Sequence, residues 1–532
     1  MSAFSFLRRP ALLSTLQFLL LWTMLFSARF FFFDDFVKNE TDVLPSALQS
    51  SNPDWLPNDW YLNLDIGYRT LFNEMVGPLV SWLGFKYAAL TGRALLYLLF
   101  AGSVLYFLRT FRIYFAVGIL ALLPFLNNQN MVAMEWMVGG TETKAFAYAF
   151  VLLALALFYR KRWLAAFAFA GAALSFHVLV GGYALFCAII ALYSTEERRR
   201  ETVLEALRKS WPFFLTGSWG LYAIFKQFFL DRGAAAGEAW EIYIQYRVPH
   251  HVFPGAWDTP ERFLIVGAGV LVVLTAALFG RSRQLRYLGF YALGSLLLFL
   301  AGLIIYWSGA YDLLRFYWFR FPDTMLPFLT LMSLALMLST YLRGTAPLGR
   351  QSKEEEILGS SSVSHRKLGI AGAAAVALVA VLTISRILPQ IPGIADKEGR
   401  GWGDPTARPM LDWIKTNTPR ESVMLVSPTM QSFYVQAERA MFVSFKHSPQ
   451  SAPDIVEWYR RLTLCNGGIP PTRKSNDVLG ELDRHFYDLD EKSIRHIARL
   501  YGTTHYLGKP DRTLEFPQVY RTQDYVLYRI DM

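Results

Sequence analysis

The sequence predicts a polytopic α-helical membrane protein of about eleven spans with a small α/β domain outside the membrane. Three observations carry this. Of 532 residues, 53% are hydrophobic and mean hydropathy is +0.27, more apolar than is usual for a soluble chain. Apolar runs near the ~20 residues that cross a bilayer recur as far as residue 388. The Lys and Arg clusters between those runs alternate so that all fall on one side.

The spans are expected near 11–33, 87–108, 113–128, 144–159, 163–177, 179–194, 211–230, 262–279, 286–306, 322–342 and 368–388. Arg8–Arg9 precede the first and Arg109 and Arg112 follow the second. Arg160–Lys161–Arg162, Arg198–Arg199–Arg200, Arg281/Arg283/Arg286 and the stretch from Arg343 to Lys367 mark later returns. The positive-inside rule makes those loops and the N-terminus cytoplasmic. The run 163–194 is long for one helix and short for two. Both its flanks are basic, which requires a hairpin turning near His177–Gly182. Residues 11–33 lack a small-x-small cleavage site and read as an uncleaved span in an inner (plasma) membrane. Residues 345–367, rich in Ser, Glu and Lys, read as a cytoplasmic linker within a membrane domain of residues 1–390.

From about residue 400 the composition turns polar, and residues 400–532 read as an extracytoplasmic α/β domain. "MLDWIKTNTP" is a helix stopped by Pro419, and "SVMLVSP" and "RAMFVSFK" are short strands. "APDIVEWYRRLTLC" and "EKSIRHIARLYG" have helical periodicity, "THYLG" is a strand and "VYRTQDYVLYRI" a closing hairpin.

Several function classes are excluded. The net charge of +10 sits mostly in short loops between apolar runs, so it reads as topology and contact with anionic headgroups, not as nucleic-acid binding. Cys187 and Cys465, the two cysteines, are far apart, one inside an apolar run. No disulfide or thiolate metal site is expected. There is no GxGxxG, no GxxxxGK[ST] and no internal repeat.

Four outer loops carry candidate chemistry. The first, 34–86, opens with Asp34–Asp35 directly after four phenylalanines and continues through Asp54, Asp59, Asp65, Arg69 and Glu74. A carboxylate beside apolar surface can have a raised pKa and act as a base; otherwise Asp34–Asp35 simply end the span, and Asp59 forms a turn. The second, "NNQNMVAMEWMVGGTETKAFAYAF", places Glu135, Glu142 and Lys144 at the membrane boundary, where ionisable groups are costly. Gly139–Gly140 permit close backbone approach, for instance to a phosphate. The plain alternative is a helix start with Thr141 as N-cap. The third, "EIYIQYRVPHHVFPGAW", joins Arg247, His250 and His251 around Pro249, a donor set suited to phosphate. The fourth, "YWSGAYDLLRFYWFRFPD", holds Arg315 and Arg320, which Asp312 and Asp323 can neutralise. His177, alone at its turn, reads as a packing residue.

The eleven-span layout, the acids after span one and the outward C-terminal domain resemble the GT-C superfamily of integral membrane glycosyltransferases. More narrowly, "GGTETKAFAY", "YRVPHH" and "LDWIKTNTP…VMLVSP…FKHSP…EWYRR" are similar to bacterial GT-C-like membrane proteins of poorly defined function. The resemblance implies a polyprenyl-phosphate-linked sugar as donor, inverting transfer, and Asp35 or Asp34 as general base, with Asp59 the second candidate. It implies Glu142, Lys144, Arg247, His250, His251, Arg315 and Arg320 at the lipid phosphate. No cofactor is expected, and with an Asp-x-Asp motif absent a divalent metal is possible but has no support in the sequence. Partners would be the lipid-linked sugar, membrane lipids and an acceptor the sequence does not identify. The rival readings are a transporter or flippase of a lipid-linked precursor, and an inactive GT-C-like structural partner. Transporters carry their charged groups at the membrane midplane, whereas these sit at one surface.

Reporter fusions test the topology. Fusions after Arg112, Arg162, Arg200, Arg286 and Arg350 are expected to report the cytoplasm, and a fusion at Arg420 the outside. A cytoplasmic signal from Arg420 would overturn the outer-face assignment of every candidate above.

Overall fold

Among the described residues, five helices are long and apolar enough to cross a membrane: Thr70–Thr110, Val178–Thr195, Pro260–Phe279, Arg283–Ser308 and Arg320–Arg343. Shorter apolar helices run over Leu13–Leu25, Phe115–Asn127, Thr143–Tyr159 and Trp163–Phe176. The chain is a multi-pass membrane protein. Its computed structural model describes residues 10–26, 36, 39–65, 67–196, 199–230, 236–257, 260–280, 282–344, 404–472 and 477–531. The expected span 368–388, the linker 345–367 and the candidate acids Asp34 and Asp35 lie outside the described residues.

The run 163–194 is two helices that break at His177, whose extended backbone (φ −154°, ψ 104°) caps Val178–Thr195. The two pack closely because Gly181 has no Cβ: one placed there would lie 2.3 Å from the Leu174 amide nitrogen. The run 211–230 is broken too, into Trp211–Thr216, Ser218–Phe225 and a π-helical turn Lys226–Leu230. Thr216 donates to the Ala168 carbonyl at 2.8 Å over Gly171, where a Cβ would meet Thr216 Oγ1 at 2.3 Å. Such small-residue contacts are how membrane helices approach when apolar burial gives no preference.

Within the first loop the described residues form two helices, Glu40–Ser51 and the start of Thr70–Thr110. Glu40–Ser51 starts with Glu40 and Asp42 in its first turn, where carboxylates complement the helix dipole. Residues Glu40 to Gln49 are all buried. The next helix, Thr70–Thr110, runs on into the membrane but kinks at Gly84 (φ 74°, ψ 169°), a backbone state glycine alone adopts freely. That kink separates an outer segment from the span.

Buried polar pins hold this loop layer to the membrane helices. Glu40 forms a fully buried ion pair with Arg93 and accepts the Thr141 amide at 2.6 Å. Asp323, 0% exposed, accepts four amides from the second outer loop. Met131, Val132 and Ala133 donate to Oδ1 at 2.9, 2.6 and 2.9 Å, and Glu135 to Oδ2 at 3.0 Å. Gln129 closes the same loop, accepting from Met137 and Val138 and donating to the Val138 carbonyl.

The C-terminal region is a five-stranded mixed sheet with helices. The strands are β1 (Val423–Leu425), β2 (Ala440–Met441), β3 (His505–Gly508), β4 (Gln518–Arg521) and β5 (Val526–Arg529), in the order β2-β1-β3-β5-β4. β1 is parallel to β2 and β3, and β5 is antiparallel to β3 and β4. The helices Arg408–Asn417, Ala452–Cys465 and Glu491–Tyr501 lie where the sequence placed them. The helix Val478–Tyr487 is additional. This region is anchored on the 40–65 segment. Asn58 donates to the Glu421 carbonyl at 2.9 Å, and His447 Nε2 lies 3.0 Å from the Thr41 carbonyl.

Asp323→Ala is expected to lower stability by about 3 kcal/mol, since it strips four main-chain donors of their acceptor. Thermal unfolding in detergent measures the loss. A variant melting with wild type would show that water replaces the carboxylate without cost.

Candidate functional site

A cavity of about 840 Å³ lies where the second and third outer loops, the 39–69 segment and the 446–450 stretch of the C-terminal region meet. Its position follows from the pins. With Asp323 holding residues 131–135, Glu135 turns inward and is 0% exposed. Three groups converge on its carboxylate: Lys144 Nζ at 2.6 Å, Arg320, and His251 Nδ1 at 3.6 Å. Burial would raise the Glu135 pKa, but Arg320, Lys144 and His251 outweigh it and hold the carboxyl well below the usual range. Lys144 also lies 3.4 Å from the centre of the Trp136 ring.

The third outer loop enters through a π-helical turn, Tyr243–Arg247, a widened turn common at functional sites. It aims Tyr243 at Tyr317, their hydroxyls 2.7 Å apart, and delivers Arg247 to the cavity. Pro249 then starts the short turn that carries His250 and His251. His251 Nδ1 lies 2.7 Å from the Ala133 carbonyl oxygen. A carbonyl only accepts, so Nδ1 bears the proton. Burial, with His250 beside it, pushes the His251 pKa well down. Burial and Arg247 bring His250 to about 4. Both rings are neutral near pH 7.

The other wall comes from three separate segments. Asn39 donates to Glu142 Oε2 at 2.6 Å and accepts from Lys446 Nζ at 2.7 Å. Arg69 pairs with Asp42 at 2.7 Å. Burial would raise the Asp42 pKa, but Arg69 and His447 hold it well below the ordinary value. Arg247 donates to the Lys446 carbonyl at 3.2 Å, while its Nε is buried with no hydrogen-bond partner. Burial, reinforced by Arg247, brings the Lys446 pKa down to about 7.

The lining is therefore cationic. Among the described residues Arg69, Lys144, Arg247, Arg262, Arg320 and Lys446 face Asp42, Glu135 and Glu142, six charges against three. Arg320 pairs with Glu135, Lys144 with Glu135 and, at 4.0 Å, with Glu142, and Arg69 with Asp42. Arg247 and Lys446 have no carboxylate within ion-pair distance among the described residues. An anion is the ligand this arrangement suits.

The fold can be compared with known structures on this basis. It matches the archaeal oligosaccharyltransferase AglB from Archaeoglobus fulgidus, in complex with an inhibitory peptide and a dolichol-phosphate, with TM-score 0.50 and 10% identity over 96% of this chain and 70% of that one. The fold is GT-C-like. A second structure of the A. fulgidus oligosaccharyltransferase, with Zn and sulfate, aligns at TM-score 0.46 and 11% identity, covering 92% of this chain and 67% of that one. ArnT from Cupriavidus metallidurans, bound to undecaprenyl phosphate, aligns at 0.44 and 13%, covering 99% and 98%. At these identities the likeness is one of fold. Residues 405–465 match a domain of unknown function (DUF6798), a stretch that includes Lys446. No curated protein matches the chain.

Within this GT-C frame the residues singled out from the sequence separate. Glu142, Lys144, Arg247, His250, His251 and Arg320 line one cavity. Arg315 is not among the lining residues; its guanidinium lies 4.1 Å from the Trp240 ring centre. Asp59, 1% exposed, lies away from the cavity and ties the first outer loop to β2, accepting from Leu62 at 2.8 Å and Met441 at 2.9 Å. Asp323 neutralises neither nearby arginine but takes main-chain donors. The space over Gly139 is filled from within: a Cβ there would lie 2.6 Å from Trp136 Nε1 and 2.8 Å from Glu142 Oε1, and those two groups bond each other. His177 lines the cavity. Asn39, Asp42, Tyr243, Tyr317 and Lys446 were missed. The signal available was the pair Lys446–His447, two polar residues amid the apolar strand pattern of "RAMFVSFKHSP".

Asp59 offers a test of its structural position. Burial raises its pKa to about 6, against the pull of the Leu62 and Met441 amides. The folded protein therefore binds the extra proton between the unfolded pKa of about 4 and about 6, and stability falls as pH rises through that window. Asp59→Asn removes this term, so its melting temperature relative to wild type is expected to climb from pH 4 to pH 6 and level off above. A constant difference across that range would place the titration on another group.

Proposed function

We propose that this chain is a glycosyltransferase of the outer membrane face that takes a sugar from a polyprenyl-phosphate donor and passes it to an acceptor hydroxyl with inversion. The observation that carries the reading is the cavity with six cationic and three acidic side chains, set between membrane helices and the C-terminal region.

A phosphate-bearing lipid entering from the membrane meets Arg247 and Lys446, which, like the exposed Arg262, have no carboxylate at ion-pair distance among the described residues. As the bond to the anomeric carbon breaks, negative charge grows on the departing phosphate. Cations already in place stabilise that charge without reorganising. The planar fork of Arg247 suits two phosphate oxygens. Lys144 and Arg320, held by Glu135, and His251, held by Ala133, shape the wall behind it and contribute field more than direct bonds.

The acceptor hydroxyl needs a base on the opposite face of the sugar. Glu135 and Asp42 are poor choices, because neighbouring cations keep both acidic. Asp35 or Asp34 takes the role, as the sequence resemblance implies. Phe36, the next residue along the chain, lines the cavity, which supports that choice.

Reconstituted protein supplied with a panel of polyprenyl-phosphate sugars tests the reading, with release of polyprenyl phosphate as readout. Arg247→Ala is expected to weaken donor binding and slow release together, since the phosphate is charged in the ground state and more so in the transition state; Arg247→Lys should restore only part. The double variant Asp34→Asn/Asp35→Asn should lose roughly two to four orders of magnitude in turnover with donor affinity nearly unchanged. Full turnover in that variant would move the base elsewhere, and no release from any donor in the panel would overturn the reading.

A further inference from the structure

Lys446 is the one cavity cation contributed by the C-terminal region among the described residues. It reaches the site because the chain there is tied down at its own carbonyl and at the next residue. His447 Nε2 lies 3.0 Å from the Thr41 carbonyl, and the Lys446 carbonyl accepts from Arg247 at 3.2 Å. Its ammonium meets a neutral acceptor, Asn39 Oδ1, at 2.7 Å. Asn39 in turn spends its amide on Glu142, so it relays a weak share of that carboxylate's charge and no more. A lysine placed beside an arginine in this cavity, bonded to an amide oxygen, has no carboxylate at ion-pair distance among the described residues, and Asp42 and Glu142 act on it only from further off. Arg247 has the same lack, with Nε buried and unbonded.

We propose that Lys446 is a phosphate ligand supplied by the C-terminal region, and that it takes up a proton from water as a phosphate monoester binds between it and Arg247. This rests on the polyprenyl-phosphate reading and adds to it a residue, a direction of proton flow and a role for the C-terminal region as the roof of the phosphate site.

The groups facing Lys446 decide the sign. Arg247 and Lys144 disfavour its charged form, Asp42 and Glu142 favour it, and burial disfavours it most. His250 and His447 are neutral near pH 7, each brought to about 4 by burial. The balance leaves Lys446 at about 7, so at pH 8 most of it is neutral. A bound dianion adds two negative charges beside the amine and restores the ammonium. Below pH 6 the lysine is already charged, and binding takes up no proton there through this group.

Titration calorimetry on the full-length protein in detergent, with geranyl phosphate as probe, reads this directly. At pH 8, buffers of different ionisation enthalpy are expected to reveal uptake of about one proton per phosphate bound by wild type. Lys446→Arg, which keeps the charge and does not titrate, should bind with no uptake. Lys446→Met should bind about ten- to a hundredfold more weakly, the scale of one charge-assisted hydrogen bond, also with no uptake. Proton uptake that persists in Lys446→Arg overturns the proposal even where Lys446→Met fails to fold, and wild-type affinity in a folded Lys446→Met overturns it as well. Inorganic phosphate binding as tightly as geranyl phosphate would overturn the lipid-borne source. Wild type that binds neither would sink the polyprenyl-phosphate reading itself, a result distinct from a wild type that binds and a Lys446 variant that behaves like it.

Discussion

The buried carboxylate of Asp323 organises the loop layer over the membrane helices. It accepts four main-chain amides from residues 131–135 and has no exposure to water. A loop in that position would otherwise leave its donors unbonded, at about 1–3 kcal/mol each. Charge is well suited to the task, because an ionised acceptor bonds several N–H groups more strongly than a neutral one. Since Asp323 begins a membrane helix, the loop inherits that helix's position.

Glu135 follows from this. Its amide is bound by Asp323 and its carboxylate is aimed at the cavity, where Lys144 and Arg320 neutralise it. Losing one partner of such a buried cluster leaves an uncompensated charge, which is costlier than the pair itself is favourable. The cluster therefore divides the cavity into a neutralised wall and a wall with unspent positive charge. Arg247 and Lys446 form the second, where burial first and Arg247 second lower the pKa values of Lys446 and His250.

The C-terminal region is joined to the membrane part by polar contacts at the Asp59–Met441, Asn58–Glu421 and His447–Thr41 pairs. Ring contacts cross the same seam, Tyr246 against Tyr459 and Arg461 over Trp60. Together they fix the approach of the 446–450 stretch to the cavity. The cavity is thus built from segments that differ in character: helix starts in the membrane, a π-helical turn, and a loop beyond β2.

The sequence by itself determined the membrane class and most helices and strands of the C-terminal region, Val478–Tyr487 excepted. Hydrophobic runs and basic flanks are local properties, and a bilayer reads them locally. The pairing near His177 and the cation clusters at Lys144, Arg247 and Arg320 were legible for the same reason. Only the tertiary structure decided what each charge meets. Asp59 and Asp323 look alike as loop carboxylates in the sequence, yet both serve main-chain donors far along the chain. Arg315 and Arg320 are five residues apart, and one packs on an aromatic ring while the other neutralises Glu135. Lys446 lies roughly two hundred residues from Arg247 and some four hundred from Asn39, and no local pattern announces that encounter. Charge partners are chosen by distances of a few ångströms in the fold, and sequence spacing carries no information about those distances once the chain has crossed the membrane several times.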